Sequence, residues 1–440
     1  MVNIRRVFLN PFYLLALTVI QVSILLILIV TWSQPTPVTV TLSFLVPSTS
    51  PLDWDSLKKE FEAKNRYIQL GIYRVEAESN SLHDSYSKAL ATGNSPYDLI
   101  YMDIIWVSKF AANGWLLELS NWISKDELAK FESGDVQGGK YKKELYRIPF
   151  HSDVGMLYYR KDWLKEFRYQ PPETFEQLLQ ISKALQKQKG IRWGFVWQAR
   201  QYEGLVAMFL EVLKGYGGFW IENDQVGLDK PEALQAVKFL RTTIEQKISP
   251  GFATFSSEQE YSDTFLNGET VFLRSWPYVW TEAEAKNSPI RGKIGFTAMV
   301  HAPGDESAAC RGGWGFGIAK SAKHREEAWR VIQFFTSEKT QREFLWKKGF
   351  LPSRTALLSK PKIPDDKRYE TFSELLHEKS VLRPPISKYK EASEILQCHL
   401  RDALTGALSP EEAMKAAANE THKLLIANVV PQNPCYSSAR

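Results

Sequence analysis

Cysteine is scarce in this sequence, with three residues in 440: Cys310, Cys398 and Cys435. Three cysteines cannot all pair within one chain, and their spacing matches no zinc-binding pattern. One disulfide is open to the chain in an oxidising compartment, but we favour the interpretation that all three are separate thiols. The seven histidines do not cluster with Asp or Glu at ligand spacing. We therefore expect no metal and no cofactor.

A strong excess of one charge is also missing. The chain has 55 Lys and Arg against 50 Asp and Glu, for a net charge of +5. This balance is too small and too evenly spread for nucleic-acid binding. The 44% hydrophobic and 24% charged residues are typical of a globular protein. At about 150 residues per domain, the length predicts two or three domains.

The familiar enzyme signatures are absent. The sequence contains no Gly-x-Ser-x-Gly, no Walker loop and no His-Glu-x-x-His. The segment Gly312–Gly317 is rich in glycine, but Trp314 stands where a phosphate-binding loop needs bare backbone. We assign no catalytic residue.

One long apolar run is present near the N-terminus. Phe12–Trp32 has no charged residue across 21 positions, enough to cross a bilayer core of roughly 30 Å. Two arginines precede it and the next basic residue is Lys58, which places the N-terminus in the cytoplasm and the remainder outside. The alternative is a cleaved signal peptide, but the run is long for one and Thr31–Pro35 is a poor cleavage site. We favour an uncleaved anchor.

Strands and helices alternate after the anchor. Val38–Val46 is rich in β-branched residues and predicts a strand, Trp54–Lys64 has the apolar spacing of a helix, and Ile68–Val75 predicts a second strand. Such alternation predicts a parallel-type sheet with helices on both faces.

The stretch Ile148–Trp163 organises the rest of the chain. It predicts a polar turn at His151–Asp153 and then an apolar strand, Val154–Tyr159, that leaves one body of the protein and begins another. Asp153 would then lie at the crossing, and pockets favour domain interfaces. Alternatively, Asp153 only caps a turn.

Carboxylates and aromatic side chains recur where predicted strands end, where open α/β sheets bind ligands. The residues in question are Asp103, Asp153, Trp276, Tyr278 and Trp314, with Tyr202 and Glu203 opening a helix. A neutral sugar offers hydroxyls to carboxylates and apolar faces to aromatic rings. Ordinary structural explanations exist for most of them: a helix cap for Asp103, the first turn of a helix for Tyr202 and Glu203, and the core for Trp276 and Tyr278. Trp314 is harder to explain as a core residue, because the glycines that flank it supply no packing partners.

Several stretches together resemble the extracellular solute-binding proteins of ABC importers, in the branch that binds maltose, trehalose and related oligosaccharides. The resemblance covers roughly Thr39 to Ile426. The stretches that carry it are Tyr97–Trp106, Pro149–Arg160, Gln201–Leu205, Phe265–Glu269, Trp276–Tyr278 and Gly312–Trp314.

The resemblance implies an α/β, two-lobed type II periplasmic-binding-protein fold with discontinuous lobes, preceded by the N-terminal transmembrane helix. The implied division is an anchor and linker at 1–37, an N-lobe at 38–149 and 314–359, a C-lobe at 150–313 and 360–428, and a disordered tail at 429–440. The chain would cross between the lobes near Phe150, Gly313 and Ser359.

The resemblance also implies a sugar site in the cleft between the lobes. In it, Asp103 and Asp153 accept hydrogen bonds from hydroxyls. The other implied contacts are Tyr202, Glu203, Trp276, Tyr278, Gly313, Trp314 and, from a neighbouring loop, Arg354. Ser48–Ser50 stands where the family often has a Glu or another polar contact, so specificity there is open.

The expected function is therefore a membrane-tethered receptor on the periplasmic side of the inner membrane. Its partners would be a small sugar ligand, ABC permease subunits and the membrane, through the N-terminal helix. Two alternatives remain: a carbohydrate-sensing subunit without transport, and a glycoside hydrolase that uses two of Asp103, Asp153 and Glu203 as acid and nucleophile.

Overall fold

The structure is a computed structural model that describes residues 19–23, 39–47, 52–75, 79–252, 254–255, 257–345, 349–359 and 368–427. Most of the predicted anchor Phe12–Trp32, the linker, the tail 429–440 and Cys435 lie outside these residues. Within the described ranges, no helix is both long enough and apolar enough to cross a membrane.

The first elements follow local sequence patterns closely. The helix Trp54–Lys64 begins where the side chain of Asp53 accepts a hydrogen bond from the backbone N–H of Ser56 at 3.1 Å, and it buries Trp54, Leu57 and Phe61. The elements up to the crossing are β1 (Val40–Pro47), α1 (Trp54–Lys64), β2 (Ile68–Val75), α2 (Ser79–Ala91), β3 (Leu99–Asp103), α3 (Val107–Ala112), α4 (Lys125–Leu128), α5 (Ser133–Gly138), β4 (Lys140–Tyr141), β5 (Glu144–Leu145) and β6 (Ile148–Val154).

The second part of the chain begins with β7. Its long helix α7 starts with a capping box at Thr174 and ends at Gly190, which has a left-handed backbone. The elements are β7 (Met156–Arg160), α6 (Lys161–Glu166), α7 (Phe175–Lys189), β8 (Trp193–Val196), α8 (Glu203–Gly215), β9 (Ile221–Glu222), β10 (Gln225–Val226), α9 (Pro231–Glu245), α10 (Glu258–Leu266), β11 (Thr270–Ser275), α11 (Tyr278–Ala283) and β12 (Ile294–Thr297).

The last part returns to the first body and ends on the second. Its elements are β13 (Ala309–Ile318), α12 (Arg325–Phe335), α13 (Glu338–Thr340), β14 (Leu351–Pro352), α14 (Thr355–Ser359), α15 (Arg368–Glu374), β15 (Ser380–Val381), α16 (Tyr389–Thr405) and α17 (Pro410–Ala427). Single turns of 3-10 or π geometry lie at Ile104–Trp106, Gln341–Leu345 and Leu375–Lys379.

Two sheets form the centres of the two lobes. The first has the order β14-β6-β13-β15, with β3 also paired to β13, and the second has the order β12-β7-β11-β8. The expectation of parallel-type sheets is only partly met. Strands β1 and β2 pair in parallel, as do β8 and β11, but β13 runs antiparallel to β3 and β6. In the first sheet, β13 is antiparallel to β3 and β6 and parallel to β15. In the second sheet, β7 is antiparallel to β11 and β12, so both sheets are mixed.

The predicted polar turn at His151–Asp153 is wrong, because these residues belong to strand β6. Asp153 pairs with Gly312 and His151 with Trp314 of β13, so a distant strand supplies the hydrogen bonds that make them extended. The break comes later, at Gly155, where an added Cβ would overlap the Glu211 carboxylate. Beyond it, β7 enters the second sheet.

The buried apolar side chains form separate cores. One core is drawn from residues 42–150 and 316–335, and the other from residues 157–300 and 389–424. A further cluster joins Leu351 and Leu358 to side chains of the second sheet. These cores underlie the two lobes, which we call the N-lobe and the C-lobe; their boundary residues stay predictions.

The expectation of three separate thiols is also wrong. Cys310 is free and buried in β13, and burial raises its pKa to about 12. Cys398, in α16, is disulfide-bonded. Sequence spacing could not reveal this bond, because pairing depends on the distance between Cα atoms in the fold.

Candidate functional site

Strand β13 brings together predicted site residues from several parts of the chain. Gly312 pairs with Asp153, and Trp314 pairs with Asp103 on the other side. A Cβ added to Gly312 would lie 3.2 Å from the Cβ of Asp153 and 3.5 Å from the ring of Trp276. Two carboxylates and two indoles therefore lie along one short stretch of strand.

Gly313 allows this close packing. Its φ of +122° is one that L side chains rarely adopt, and an added Cβ would lie 2.7 Å from the carbonyl oxygen of His151. A glycine is needed here for both backbone conformation and space.

The two indoles are held by neighbouring side chains but remain partly exposed. Trp314 stacks on Tyr101, with ring centroids 4.8 Å apart, and meets Trp106 edge-on at 5.2 Å. The guanidinium carbon of Arg274 lies 4.2 Å from the centre of the Trp276 ring. Such fixed rings provide flat apolar surfaces at little cost in conformational entropy.

Asp153 lies beside these rings with 14% of its side chain exposed. Its carboxylate is 3.3 Å from Nδ1 of His151, whose Nε2 hydrogen-bonds the hydroxyl of Tyr101 at 3.1 Å. This chain of contacts positions Asp153 and leaves acceptor capacity on its carboxylate.

Asp103 caps the turn after β3, as one of the two interpretations of this residue predicted. Its side chain accepts a hydrogen bond from the N–H of Ile105 at 3.3 Å and so caps the turn after β3. It also lies 3.5 Å from the guanidinium of Arg383. Burial raises the pKa of the Asp103 carboxyl, and the positive charge of Arg383 opposes this rise.

Glu203 is engaged by the protein itself. It accepts hydrogen bonds from Arg383 at 2.8 Å, from Ser393 at 2.7 Å and from the hydroxyl of Tyr389. Both of its oxygens are used, so Glu203 holds Arg383 in place between the lobes.

Arg383 is the residue of this site that sequence reasoning missed. It is 6% exposed, and its Nε has no hydrogen-bond partner within the part of the chain that the structure describes. It follows the two-residue strand β15 in a segment without a recognisable motif. The available signal was its position just after a strand end, the place where Asp103 was found.

The hydroxyls of Tyr202 and Tyr278 are both engaged by neighbouring side chains. The hydroxyl of Tyr202 donates to Glu258 at 3.3 Å, and that of Tyr278 hydrogen-bonds Ser262 at 3.2 Å. Burial raises the pKa of both phenols. Their hydroxyls are thus tied to the C-lobe.

Arg354 is not brought to this group. Its Nε donates to the carbonyl of Thr336 at 2.7 Å, its Nη2 donates to Glu127 at 2.7 Å, and its guanidinium covers the ring of Phe131 at 4.4 Å. All these contacts lie on the N-lobe, away from Asp103. The predicted contact region Ser48–Ser50 lies outside the described residues.

The lobes touch beside Glu203. Lys109 of the N-lobe and Glu391 of the C-lobe form an ion pair at 2.8 Å. The space lined by Trp106, Glu203 and Tyr389 between them holds only about 20 Å³. That is room for about one water molecule, not for a pyranose ring.

Known proteins share this architecture. The chain is 28% identical over 400 residues to a Deinococcus radiodurans protein described as an ABC transporter-binding protein, covering 88% of this chain and 94% of that one. Maltose-bound MalE3 of T. maritima superposes with a TM-score of 0.82 at 31% identity, covering 88% of this chain and all of that one. A Thermotoga lettingae solute-binding protein bound to α-D-tagatose gives a TM-score of 0.79 at 27% identity, over 88% and 100% of the two chains.

A family model matches more than half of the sequence, at residues 49–342. The match covers β3, the β6–β7 crossing and β13, which carry most of the residues described above. The chain belongs to the bacterial extracellular solute-binding proteins.

Proposed function

We propose that this protein is an extracytoplasmic receptor that binds a neutral di- or oligosaccharide, or a related glycoside, between its lobes and delivers it to an ABC importer. The observation that carries the proposal is the grouping of Asp103, Asp153, Trp276 and Trp314 along β13. Carboxylates accept hydrogen bonds from sugar hydroxyls, and partly exposed indoles cover the apolar faces of the rings.

The relatives support the same ligand class. MalE3 of T. maritima is bound to maltose, the Thermotoga lettingae protein to α-D-tagatose, and a 23% identical relative from Pyrococcus abyssi is named a maltotriose-binding protein. All three ligands are uncharged and rich in hydroxyls. A permease and its ATPase are the partners that an importer requires.

The site favours binding over covalent chemistry. A glycoside hydrolase needs two carboxyl groups free to act as acid and nucleophile. Both carboxylate oxygens of Glu203 already accept hydrogen bonds, from Arg383, Ser393 and Tyr389, so Glu203 is not free for either role. The proposed role of Glu203 is to position Arg383.

Ligand entry requires the lobes to separate. Arg383 reaches from Glu203 in the C-lobe to Asp103 in the N-lobe, and the space beside it admits about one water. In our proposal the lobes open and close by a hinge at the strands that join them, with crossings near Phe150, Gly313 and Ser359. The run Phe12–Trp32 would tether the receptor to the outer face of the cytoplasmic membrane.

The direct test is isothermal titration calorimetry of the full-length chain with trehalose, sucrose, maltose and glucosylglycerol. The proposal requires saturable binding of at least one of them with a stoichiometry near one at the cleft. Failure of every carbohydrate to bind would remove it. Release of the aglycone from an aryl glycoside would support the hydrolase instead.

A further inference from the structure

A second cavity lies on the N-lobe and shares none of its lining with the cleft. Its volume is about 500 Å³, within the range of small-molecule sites. The residues used in the following argument are Trp122, Glu127, Phe131, Trp329 and Arg354, all of which line it. Arg354 was expected at the cleft, so its true surroundings call for an explanation.

Two indoles form adjacent walls of this cavity. The rings of Trp122 and Trp329 have centroids 6.0 Å apart and planes inclined by 58°. Both side chains are partly buried against the N-lobe core. Their packing holds them in place, and their remaining exposed area offers flat apolar surface next to water.

Arg354 supplies a fixed hydrogen-bond donor between these walls. Its side chain is only 10% exposed, and its position is set by Thr336, by Glu127 and by the ring of Phe131. These bonds use Nε and Nη2. Among the described residues, Nη1 has no hydrogen-bond partner, so one donor nitrogen of a buried guanidinium is left for a ligand.

The charges of the cavity select against ions. Hydrogen bonds from Lys130 and Arg354 lower the pKa of the Glu127 carboxyl, so it is ionised at neutral pH and offsets the charge of Arg354. Glu338, also in the lining, is paired with Arg342. An anion would meet Glu127 and Glu338, and a cation would meet Arg354. A neutral ligand avoids both penalties.

We propose that this cavity is a second carbohydrate site, which takes one or two pyranose rings of a neutral saccharide. The apolar face of a ring lies against Trp122 or Trp329, and its hydroxyls pair with Nη1 of Arg354 and the carboxylate of Glu127. The site is independent of the cleft and of whether the cleft binds sugar.

The test follows the two indoles directly by ¹⁹F NMR of the full-length chain labelled with 5-fluorotryptophan. Trp122→Phe and Trp329→Phe assign the two resonances. Maltotriose is then added up to about 100 mM, well above a millimolar Kd, with glycerol at equal mass concentration as the control. The titration is repeated in the cleft variant Asp153→Ala.

The expected result is a saturable shift of both resonances with maltotriose, but not with glycerol, at the same half-saturation concentration in the wild type and in Asp153→Ala. Arg354→Met should raise the half-saturation concentration about tenfold, as loss of a charged donor does. Arg354→Met also removes the hydrogen bonds to Thr336 and Glu127, so Trp122→Ala serves as a second variant. It should raise the half-saturation concentration of the Trp329 shift by a similar factor.

Resonances of Trp122 and Trp329 that stay fixed, or that move equally with glycerol, would overturn the second site. A half-saturation concentration that rises in Asp153→Ala, or a shift that disappears there, would also overturn it, since the movement would then come from the cleft. Failure of the proposed cleft function is separable, because it would leave the Trp276 and Trp314 resonances unmoved whatever Trp122 and Trp329 do.

Discussion

The guanidinium of Arg383 lies 2.8 Å from the carboxylate of Glu203, although 180 residues separate the two in sequence. The same guanidinium is 3.5 Å from Asp103. One buried side chain thus contacts both Glu203, at the start of α8, and Asp103, at the end of β3.

Removing that connection should favour the open protein. Arg383→Met keeps the apolar length of the side chain but loses the bonds to Asp103 and Glu203, so we expect a larger radius of gyration without ligand and at least a roughly tenfold loss of sugar affinity. Small-angle X-ray scattering and calorimetry measure the two effects. Arg74→Met, which removes a surface pair with Asp55, is the control. Equal behaviour of the two variants would refute the role of Arg383.

The β13 site makes a second prediction. Trp314→Ala and Asp153→Ala should each weaken sugar binding by about 1–3 kcal/mol, through lost stacking area and unsatisfied hydroxyls. Titration calorimetry measures the change. Tyr67→Ala removes an exposed aromatic side chain far along the N-lobe surface and should leave the affinity unchanged. Full affinity in both site variants would place the ligand elsewhere.

The backbone conformation of Gly313 provides a third prediction. Gly313→Ala should lower the free energy of unfolding by about 1–3 kcal/mol, since it combines an unfavourable φ with a contact of 2.7 Å to the His151 carbonyl. Gly93 also has a positive φ, +71°, but an added Cβ meets nothing within 4 Å. Gly93→Ala therefore isolates the cost of backbone conformation. Urea unfolding should show Gly313→Ala as the more damaging; the reverse order would contradict this explanation.

The buried ion pair between Glu211 and Arg274 gives a fourth prediction. Glu211 and Arg274 have fully buried side chains, and Glu211 also accepts a hydrogen bond from the N–H of Cys310 at 2.9 Å. Glu211→Ala should cost about 3–5 kcal/mol of unfolding free energy, because Arg274 is left charged and buried. Glu245→Ala breaks an exposed pair with Arg241 and should change stability by less than about 1 kcal/mol. Similar losses of unfolding free energy in both variants would show that the cost of breaking an ion pair does not depend on its burial.

The carboxyl of Asp103 predicts a pH dependence of stability. Its pKa is raised by burial, so the folded protein binds this proton more tightly than the unfolded chain does. Asp103 therefore stabilises the fold below its unfolded pKa of about 3.9, and this contribution is lost as the pH rises through the folded pKa. The unfolding free energy of the wild type minus that of Asp103→Asn should fall as the pH rises above about 4. A difference that rises with pH would contradict the assignment.

Local sequence patterns were sufficient to predict many helices and strands, but not the conformation of the chain where it crosses between the lobes at His151–Asp153. The bounds of α1 and β2 follow from apolar spacing and β-branched residues within Trp54–Val75. The extended conformation of His151–Asp153 depends instead on pairing with β13, more than 150 residues later. A polar triplet two residues after a proline favours a turn when that pairing strand is unknown.

The residues of the candidate site also fall into those that the sequence could predict and those that it could not. Residues after predicted strands, such as Asp103 and Trp276, could be proposed because strand ends are recognisable in sequence. Arg383 could not, since its significance comes only from its two carboxylate partners. Arg354 shows the converse: its sequence context resembled a ligand-contacting loop, but Thr336 and Glu127 fix it elsewhere.

The central claim is that one neutral sugar binds between the lobes against Asp153 and Trp314. The most direct measurement is calorimetric titration of the full-length chain with maltose, trehalose, sucrose and glucosylglycerol, carried out in parallel on the Asp153→Ala/Trp314→Ala double variant. The account predicts that at least one of these ligands binds the wild type with an enthalpy change that the double variant loses. Absence of binding to every sugar, or binding that the double variant retains in full, would contradict it.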